Sequence, residues 1–398
     1  MPASWYLLCR VVDHYGDAGV CWRLARQLAN EYGLDVTLFI DDAATLQRLI
    51  PTLDITQNRQ RLHNVTVQRL TDALPPPAAW PEVIVDAFGG GLPSPWLAAL
   101  ERDFPPSSAA PKEANPPHWI VLEYLSAEPW IETMHEVASP PPSINIPRHF
   151  FFPGFTATSG GLLREKNLLA ERNAFCSPER FPDARRAFLE RLGVEALPPN
   201  ALLVSLFCYD TPALPTLLDA WAASPSPIFC LLPEAVAPKT VQQWRNATTT
   251  HGALTLHTLP FLPQADFDRL LWCCDLNFVR GEDSFVRAQW AARPFVWQAY
   301  RQSEHAHLTK VDAFLQRHLA DAPDVLKTVL SDFTRTWNDE RATNRLADAW
   351  LALAAQLPAF QKRARDWAQR LSTQTDLAQR LVGFCADHRG KAKANGSD

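Results

Sequence analysis

The segment Arg280–Phe285 (RGEDSF) carries an arginine, a glycine, two carboxylates and a serine within six residues. An apolar run before it predicts a buried strand, and the run after it predicts a helix. A helix N-terminus presents free N–H groups and about half a positive charge, which suits a phosphate. Arg280 adds a permanent forked cation, and Glu282 can accept a hydrogen bond from a sugar hydroxyl. The pattern favours a metal-free nucleotide-diphosphate site; the alternative is an ordinary helix N-cap at Asp283 or Ser284.

A second cluster lies near the N-terminus, where the loop Asp13–Gly19 (DHYGDAG) follows a predicted strand and precedes a predicted helix. Asp13 and Asp17 are four residues apart, and Gly16 and Gly19 would allow tight turns. In α/β folds this first loop faces the ligand crevice, where carboxylates suit general-base chemistry. The GxGxxG pattern is missing, which argues against a dinucleotide site. In the structural alternative, Asp13 ends the strand and Asp17 caps the helix.

The elements that must position these clusters alternate between strand and helix, which predicts parallel βαβ units with right-handed crossovers. In the first half we predict strands over Tyr6–Val12, Val36–Ile40, Val65–Val67, Val83–Val85 and Trp119–Leu122, and helices over Val20–Tyr32 and Thr45–Ile50. After Phe150–Gly161 we predict strands over Leu202–Cys208, Ile228–Leu232, Leu254–Leu256, Leu276–Val279 and Phe295–Trp297, and helices over Phe267–Trp272, Ser284–Ala291 and Val311–His318. Residues from about 325 to 388 are predicted to be mostly helical.

The length of 398 residues exceeds one ordinary core and predicts two domains. We expect an α/β fold of two doubly wound, Rossmann-like domains facing a central cleft, with a helical C-terminal segment. The predicted bounds are 1–160 for the first domain, 161–190 for an interdomain connection and 191–371 for the second domain. A helix at about 372–388 is expected to pack back on the first domain. Proline-rich stretches, including one around 105–117, are expected to be surface loops.

Composition excludes several classes of protein. Hydrophobic residues make up 47% and charged residues 20%, as in globular proteins, and the net charge of −5 argues against a nucleic-acid surface. The eight cysteines form no CxxC pair and are predicted to be reduced core thiols. The chain shows no signal peptide and no apolar run of membrane-spanning length. We therefore predict a cytoplasmic protein with no membrane partner.

Metal binding has weak support in the sequence. Asp41, Asp42 and Asp283 could suggest the Asp-x-Asp motif of metal-dependent sugar transferases, but the adjacent pair is expected to end a strand or cap a helix. His305 and His307 are two residues apart, which is a poor spacing for a helical metal pair. With Arg280 and a helix N-terminus available, a leaving diphosphate needs no cation. We therefore predict no metal and no cofactor.

Two long segments, CRVVDHYGDAGVCWRLARQLA and FVRGEDSFVRAQWAARPFVWQAY, together resemble the bacterial protein-arginine rhamnosyltransferases that modify translation elongation factor P. EYLSAE, FFPGFTATSGGLLRE, SLFCYD and LPFLPQADFDRLLWCCDLNFVRGEDSF match that family in the same order, so the resemblance covers nearly the whole chain. It implies the two-domain GT-B glycosyltransferase fold and an inverting transfer of L-rhamnose from dTDP-β-L-rhamnose to arginine. It also implies the N-terminal domain of elongation factor P as acceptor, and activation of that factor for rescue of ribosomes stalled at polyproline.

The resemblance implies residue roles as well. Asp17 would be the general base and Asp13 its neighbouring partner, and which of the two takes the proton stays open. Phe261 and Phe267 would flank the thymine, and Gln264 would lie beside the base edge. From the residues alone, a core role for both phenylalanines is the alternative. The remaining donor-binding side chains would be Phe207, Tyr209, Arg280, Glu282, Asp283, Ser284 and Tyr300.

Small departures from the family pattern leave these roles intact. His14 and Tyr15 replace an expected Asn-Phe pair, and residues 88–91 are richer in glycine than expected. Two other readings remain: a GT-B transferase with another nucleotide sugar and acceptor, and a non-catalytic nucleotide-binding module on the same fold. Competition between dTDP and UDP would distinguish the first alternative from a dTDP-rhamnose transferase. Consumption of the donor would distinguish an enzyme from the second alternative.

Overall fold

The structure is a computed structural model that describes residues 2–106, 116–247 and 251–394. It divides into two compact units, Met1–Lys166 with Gln374–Asp398, and Asn167–Thr373. The predicted interdomain connection at 161–190 is therefore split, because its first six residues belong to the N-terminal unit and the rest forms helices of the C-terminal unit. Most of the proline-rich stretch, residues 107–115, lies outside the described residues.

The N-terminal unit is built on one twisted sheet. Its strands are β1 (Ser4–Cys9), β2 (Asp35–Ile40), β3 (Arg59–Leu62), β4 (Val65–Arg69), β5 (Val83–Ala87), β6 (His118–Leu122), β7 (Ala138–Ser139) and β8 (Arg148–Phe151). The order across the sheet is β3-β4-β2-β1-β5-β6-β8-β7, and every pair is parallel except β3/β4 and β7/β8. The chain runs outward from β1 to β2 and then returns to β5 on the other side. The loops after β1 and β5 therefore meet at the topological switch point, where such sheets bind ligands.

Helices cover this sheet: α1 (Tyr15–Tyr32), α2 (Ala43–Leu49), α3 (Ser94–Asp103), α4 (Ile131–Met134) and the C-terminal α15 (Leu377–Ala394). The α1 helix ends at Gly33, whose φ of 65° is left-handed and whose N–H donates to the Leu28 carbonyl. Trp96 of α3 packs on Phe39 of β2. Phe384 of α15 contacts Phe151 of β8, so this last helix packs on the N-terminal sheet.

The C-terminal unit has a wholly parallel sheet of β9 (Leu202–Leu206), β10 (Ile228–Pro233), β11 (Leu254–Leu259), β12 (Leu276–Arg280) and β13 (Phe295–Gln298). The strand order is β11-β10-β9-β12-β13, so the loops after β9 and β12 meet at the second switch point. Its helices are α5 (Leu168–Phe175), α6 (Phe181–Arg191), α7 (Ala213–Ala222), α8 (Pro238–Ala247), α9 (Gln264–Cys273), α10 (Asp283–Ala291), α11 (Ala306–His318), α12 (Asp324–Asn338), α13 (Leu346–Ala355) and α14 (Leu357–Ser372). Short 3-10 turns occur at Ser303–His305 and Glu340–Arg345.

A buried ion pair fixes α9 against α10. The Arg287 guanidinium donates to both Asp268 oxygens, at 2.8 Å each, and both side chains are almost fully buried. Loss of one partner from such a pair typically costs about 3–5 kcal/mol, because a buried charge is left uncompensated. The N-terminal ends of α9 and α10 therefore keep a fixed spacing beside the second switch point.

All ten predicted strands are present, with small shifts at their ends. The largest shifts are three residues: β11 ends at Leu259 where the sequence predicted Leu256, and β1 ends at Cys9 where it predicted Val12. For β1 the cause is visible. The physical reason is that the N–H groups of Val11 and Val12 donate to the carboxylates of Asp41 and Asp17, so they are withdrawn from the sheet. Sequence reasoning missed β3, β7 and β8 and the helices α3 to α8, several of which are short or begin with proline.

All eight cysteines lie in the described residues and are free thiols, seven of them buried. The prediction of core thiols is confirmed for these seven, whereas Cys176 is only partly buried. Within the described part of the chain, no helix combines the length and apolarity needed to cross a membrane.

Candidate active site

Asp17 binds the loop that precedes its own helix. It is the third residue of α1, is 0% exposed, and accepts the N–H groups of Val12 and Asp13 with one oxygen, Oδ2, at 2.8 Å each. A carboxylate in the first turn that reaches back to preceding N–H groups resembles half of a capping box. The N-cap residue itself is His14, which makes no side-chain capping bond. Asp17 is therefore not the N-cap; instead, it closes the loop onto the helix.

The two oxygens of Asp17 have different surroundings. The hydroxyl of Tyr124 lies 3.5 Å from Oδ2, whereas the buried Oδ1 has no hydrogen-bond partner among the described residues. Burial raises the pKa of Asp17, and the N–H groups of Asp13 and Val12 and the Tyr124 hydroxyl oppose that effect. The result is a carboxylate that is more basic than usual and keeps one oxygen for a further donor.

Asp13 lies directly against Gly16. The Asp13 side chain is 7% exposed, and a Cβ built on Gly16 would lie 2.8 Å from its Oδ2. Gly16 and Gly19 are both inside α1, so the predicted role of turn glycines is wrong. Gly16 is needed for close approach, because a larger residue would displace the Asp13 carboxylate.

Neighbouring loops at this edge add residues that the sequence analysis missed. Asp86, in the central strand β5, is buried and accepts the Gly91 N–H at 2.9 Å, and burial raises its pKa to about 6. The ring of Phe88 stacks on Tyr124, with centroids 4.5 Å apart and planes 16° apart. The sequence could have indicated Tyr124, because its segment EYLSAE directly follows the predicted strand Trp119–Leu122, beside the switch point.

At the second switch point, Arg280 lies against two aromatic rings. It is the last residue of β12, and its guanidinium carbon lies 4.7 Å from the ring centre of Phe207 and 4.5 Å from that of Tyr209. Both rings belong to the loop after the adjacent strand β9. Such cation–π contacts contribute about 0.5–2 kcal/mol each and orient the guanidinium. The structure therefore brings three predicted donor residues into direct contact.

The start of α10 is tied to the end of β12. The Ser284 hydroxyl accepts the Arg280 N–H at 3.0 Å and donates to the Arg280 carbonyl. The N-cap residue is Glu282, without a side-chain capping bond, and Asp283 is the first helical residue. The alternative of an ordinary N-cap at Asp283 or Ser284 is therefore wrong, because the N-cap is Glu282.

Gln298 links the two loops of this edge and was also missed. Its side-chain oxygen accepts the Tyr209 N–H at 2.8 Å, and its carbonyl accepts the Gly281 N–H at 3.2 Å. Tyr300, two residues further on, is 45% exposed and contacts Tyr209 edge-on, with ring centres 5.8 Å apart. The end of β13 thus positions both Tyr209 and the glycine after Arg280.

The predicted thymine-binding residues lie around the start of α9. Gln264 is the first residue of this helix and is buried, Phe267 is half-buried, and Phe261 precedes the helix and is half-buried. Phe267 contacts Phe207 edge-on, with centroids 5.6 Å apart, and also packs on the core of this unit. Phe267 therefore joins the aromatic group around Arg280, while base contacts by Phe261, Gln264 and Phe267 stay predictions.

The residues considered for a metal have structural partners. Asp42 is the N-cap of α2 and accepts the Thr45 N–H at 2.9 Å, and Asp41 accepts the Val11 N–H. His307 is buried and contacts the Asn338 carbonyl at 3.2 Å. Within the described residues, no group of three or more histidine, cysteine or acidic side chains is arranged to hold a metal ion.

Comparison with known structures defines the class of protein. The chain is similar to Acinetobacter baumannii MurG, with a TM-score of 0.51 over 97% of this chain and 100% of that one, at 13% identity, a likeness that shows the fold alone. It is also similar to a structure described as the structural basis for EarP-mediated arginine glycosylation of translation elongation factor EF-P. That match has a TM-score of 0.64, 37% identity, and coverage of 97% and 99%. The fold is that of a GT-B glycosyltransferase.

Sequence comparison then gives the family. The model described as Elongation-Factor P (EF-P) rhamnosyltransferase EarP matches residues 5–386. The protein-arginine rhamnosyltransferases of Pseudomonas putida and Pseudomonas aeruginosa are each 43% identical, over 96% and 97% of this chain and 99% of each relative. The chain therefore belongs to the EarP rhamnosyltransferase family, and it is an enzyme of the protein-arginine rhamnosyltransferase class.

Proposed function

We propose that this enzyme transfers L-rhamnose from dTDP-β-L-rhamnose to an arginine of elongation factor P in one inverting displacement, without a metal ion. The observation that carries the proposal is the buried Asp17 carboxylate at the first switch point, whose Oδ1 has no partner among the described residues. Membership of the EarP family supports elongation factor P as the acceptor, because the description of that family names EF-P. The proposed location is the cytoplasm, where a translation factor works.

The acceptor nitrogen defines what the N-terminal unit must do. A protonated guanidinium has no free lone pair and a pKa above about 12, so attack must be coupled to proton loss. We assign proton acceptance to Asp17 Oδ1, and orientation of the guanidinium fork to Asp17 and Asp13 together. Because Asp17 is fully buried, the residues that cover Oδ1 must move before an acceptor side chain reaches it.

The donor is assigned to the C-terminal unit. The Arg280 guanidinium, oriented by Phe207 and Tyr209, and the N–H groups at the start of α10 would hold the diphosphate. These groups also stabilise the charge that develops as dTDP leaves, which is the role a divalent cation fills in other transferases. Glu282 and Asp283 would contact the ribose of the donor.

The thymine is assigned to the residues around the start of α9. Phe267 already contacts the aromatic group at Arg280, and Phe261 precedes the same helix. Stacking of a base on an aromatic side chain contributes about 1–3 kcal/mol, and Gln264 would contact the base edge. A direct displacement from this site gives inversion, so the β-linked donor would yield an α-rhamnosyl arginine.

We propose that the acceptor is the folded N-terminal domain of elongation factor P. A strongly hydrated guanidinium must be held in one orientation, and the binding energy for this comes from parts of the substrate remote from the arginine. A folded loop arrives pre-organised and loses less entropy than a flexible peptide.

The test is incubation of the enzyme with elongation factor P and dTDP-β-L-rhamnose, after EDTA treatment, followed by intact mass measurement of the factor. The expected result is a mass gain of one deoxyhexose that disappears when the target arginine is replaced by lysine. Parallel reactions with UDP-sugars should give no gain. Transfer from UDP-sugars alone, or donor consumption without modification of the factor, would contradict the proposal.

A further inference from the structure

We propose that Tyr124 is a positioning residue for the general base: Phe88 holds its ring so that its hydroxyl fixes the Asp17 carboxylate and leaves Oδ1 for the acceptor. The inference rests on the proposed function, in which Asp17 takes the proton. All residues involved belong to the N-terminal unit. None of the assignments made from the sequence includes Tyr124 or Phe88.

Tyr124 approaches Asp17 from the loop after β6. Its hydroxyl lies 3.5 Å from Oδ2, the same oxygen that accepts the Val12 and Asp13 N–H groups. Three donors on one oxygen fix the plane of the carboxylate. The other oxygen is thereby held in one direction, which general-base catalysis requires.

Phe88 fixes the ring of Tyr124 by near-parallel stacking, with a centroid distance of 4.5 Å and an interplanar angle of 16°. Both side chains are half-buried, so each ring has one of its faces available for the other. An aromatic pair of this kind contributes about 0.5–1.5 kcal/mol and favours this orientation of the ring. The tyrosine hydroxyl is therefore directed by Phe88.

The backbone around Phe88 is held in an unusual conformation. Its φ of 60° is left-handed, which is unfavourable for a bulky residue. The Phe88 N–H donates to the Leu122 carbonyl at 2.6 Å, and the buried Asp86 carboxylate accepts the Gly91 N–H on the other side of the loop. These two hydrogen bonds hold the loop after β5 at both ends. They keep Phe88 in its strained backbone conformation, which places its ring against Tyr124.

The charges around Asp17 give Tyr124 a measurable effect. Asp41, from the loop after β2, faces Asp17 and raises its pKa, and the Cys9 thiol of β1 lies close enough to interact with it. Asp13 supplies a backbone donor from the preceding loop, and Tyr124 supplies the hydroxyl; both lower the pKa of Asp17. Removal of the hydroxyl therefore moves the pKa of Asp17 upward.

The experiment compares pH profiles of kcat/KM for wild type, Tyr124→Phe and Phe88→Leu, with elongation factor P and dTDP-β-L-rhamnose as substrates. Tyr124→Phe keeps the ring and the stack, so folding is preserved. Its acidic limb should move to higher pH by roughly half a unit, which corresponds to ~0.7 kcal/mol at 1.36 kcal/mol per unit. Phe88→Leu should shift the limb in the same direction, because the tyrosine loses its orienting partner.

Tyr6→Phe is the matched control. Tyr6 belongs to β1 of the same unit, and its ring packs on Phe39 and Trp96. The substitution Tyr6→Phe therefore also removes a tyrosine hydroxyl, but at a different place in the unit. Its profile should coincide with that of wild type. An unshifted limb in Tyr124→Phe, or an equal shift in Tyr6→Phe, would overturn the inference. Asp17→Asn distinguishes this result from failure of the proposed function. If Asp17→Asn is active, Asp17 is not the general base and the proposed function fails. If Asp17→Asn is inactive and the Tyr124→Phe profile is unshifted, only the role of Tyr124 is disproved.

Discussion

Asp17→Asn should abolish transfer and leave the fold and donor binding intact. An asparagine at this position has the same shape, and its carbonyl oxygen can still accept the N–H groups of Val12 and Asp13. It cannot take a proton from a guanidinium. Loss of a general base typically lowers the rate by about 10²–10⁴, or roughly 2.7–5.4 kcal/mol at 1.36 kcal/mol per factor of ten.

The stability of this variant follows from the sign of the pKa shift. Burial raises the pKa of Asp17 in the folded state, so the carboxyl group stabilises the fold below that pKa and this contribution is lost as pH rises through it. Ionisation of Asp17 in the folded state therefore carries a free-energy cost from burial. A neutral amide removes that cost while weakening two charge-assisted bonds. We expect the free energy of unfolding to change by less than about 2 kcal/mol.

Asp17→Ala is the comparison that isolates the structural role. It removes the acceptor and leaves the N–H of the buried Asp13 without its partner, at about 1–3 kcal/mol, whereas the loss at the exposed Val12 costs less. Thermal unfolding should therefore separate the two variants: Asp17→Asn stays close to wild type, and Asp17→Ala has a clearly lower Tm. Both should be inactive.

Single-turnover transfer to elongation factor P, together with calorimetry of dTDP binding, measures the two properties separately. The rate should fall while the affinity for dTDP is unchanged, because Asp17 and the residues proposed to bind the donor belong to different units. Asp13→Asn is measured in parallel. A near-normal rate for Asp17→Asn would refute the reasoning, and if Asp13→Asn alone is inactive the proton acceptor is Asp13.

Four other outcomes follow from the structure. Arg280→Ala should weaken dTDP binding by roughly 1.5–3 kcal/mol in calorimetry, whereas unchanged affinity would contradict the diphosphate assignment. Phe267→Ala should weaken it by about 1–3 kcal/mol if the ring stacks on thymine; lower Tm with unchanged affinity would show a core role only. Activity should survive exhaustive EDTA treatment, and a loss that Mg²⁺ or Mn²⁺ restores would disprove metal independence. A peptide spanning the target arginine should show far lower kcat/KM than the isolated N-terminal domain of the factor, and equal values would disprove the need for a folded acceptor.

The sequence predicts the location of both clusters better than their internal contacts. Alternation of strands and helices places Asp17 after the first strand of one unit and Arg280 at the end of a strand of the other. The observed strand orders put both at switch points. Local patterns are sufficient for this, because parallel strands present their C-terminal ends at one edge.

The contacts of these residues depend on which strands become neighbours. Tyr124 is 107 residues from Asp17, and Gln298 is 89 residues from Tyr209. No spacing rule within a segment joins them, since the sheet order that brings them together is a tertiary property. The error at Gly16 has the same origin: the glycine was assigned to a turn, but its small size matters because the Asp13 carboxylate lies over it.

The structural and catalytic interpretations of Asp17 are compatible, because they concern different oxygens. Oδ2 closes the loop by accepting the Val12 and Asp13 N–H groups, and Oδ1 has no partner among the described residues. The bonds to Oδ2 lower the pKa, but burial raises it and is the larger effect, so the group is a stronger base than an exposed aspartate. A cap-like carboxylate in a first βα loop therefore gives no argument against catalysis. The decisive feature is whether its second oxygen is occupied.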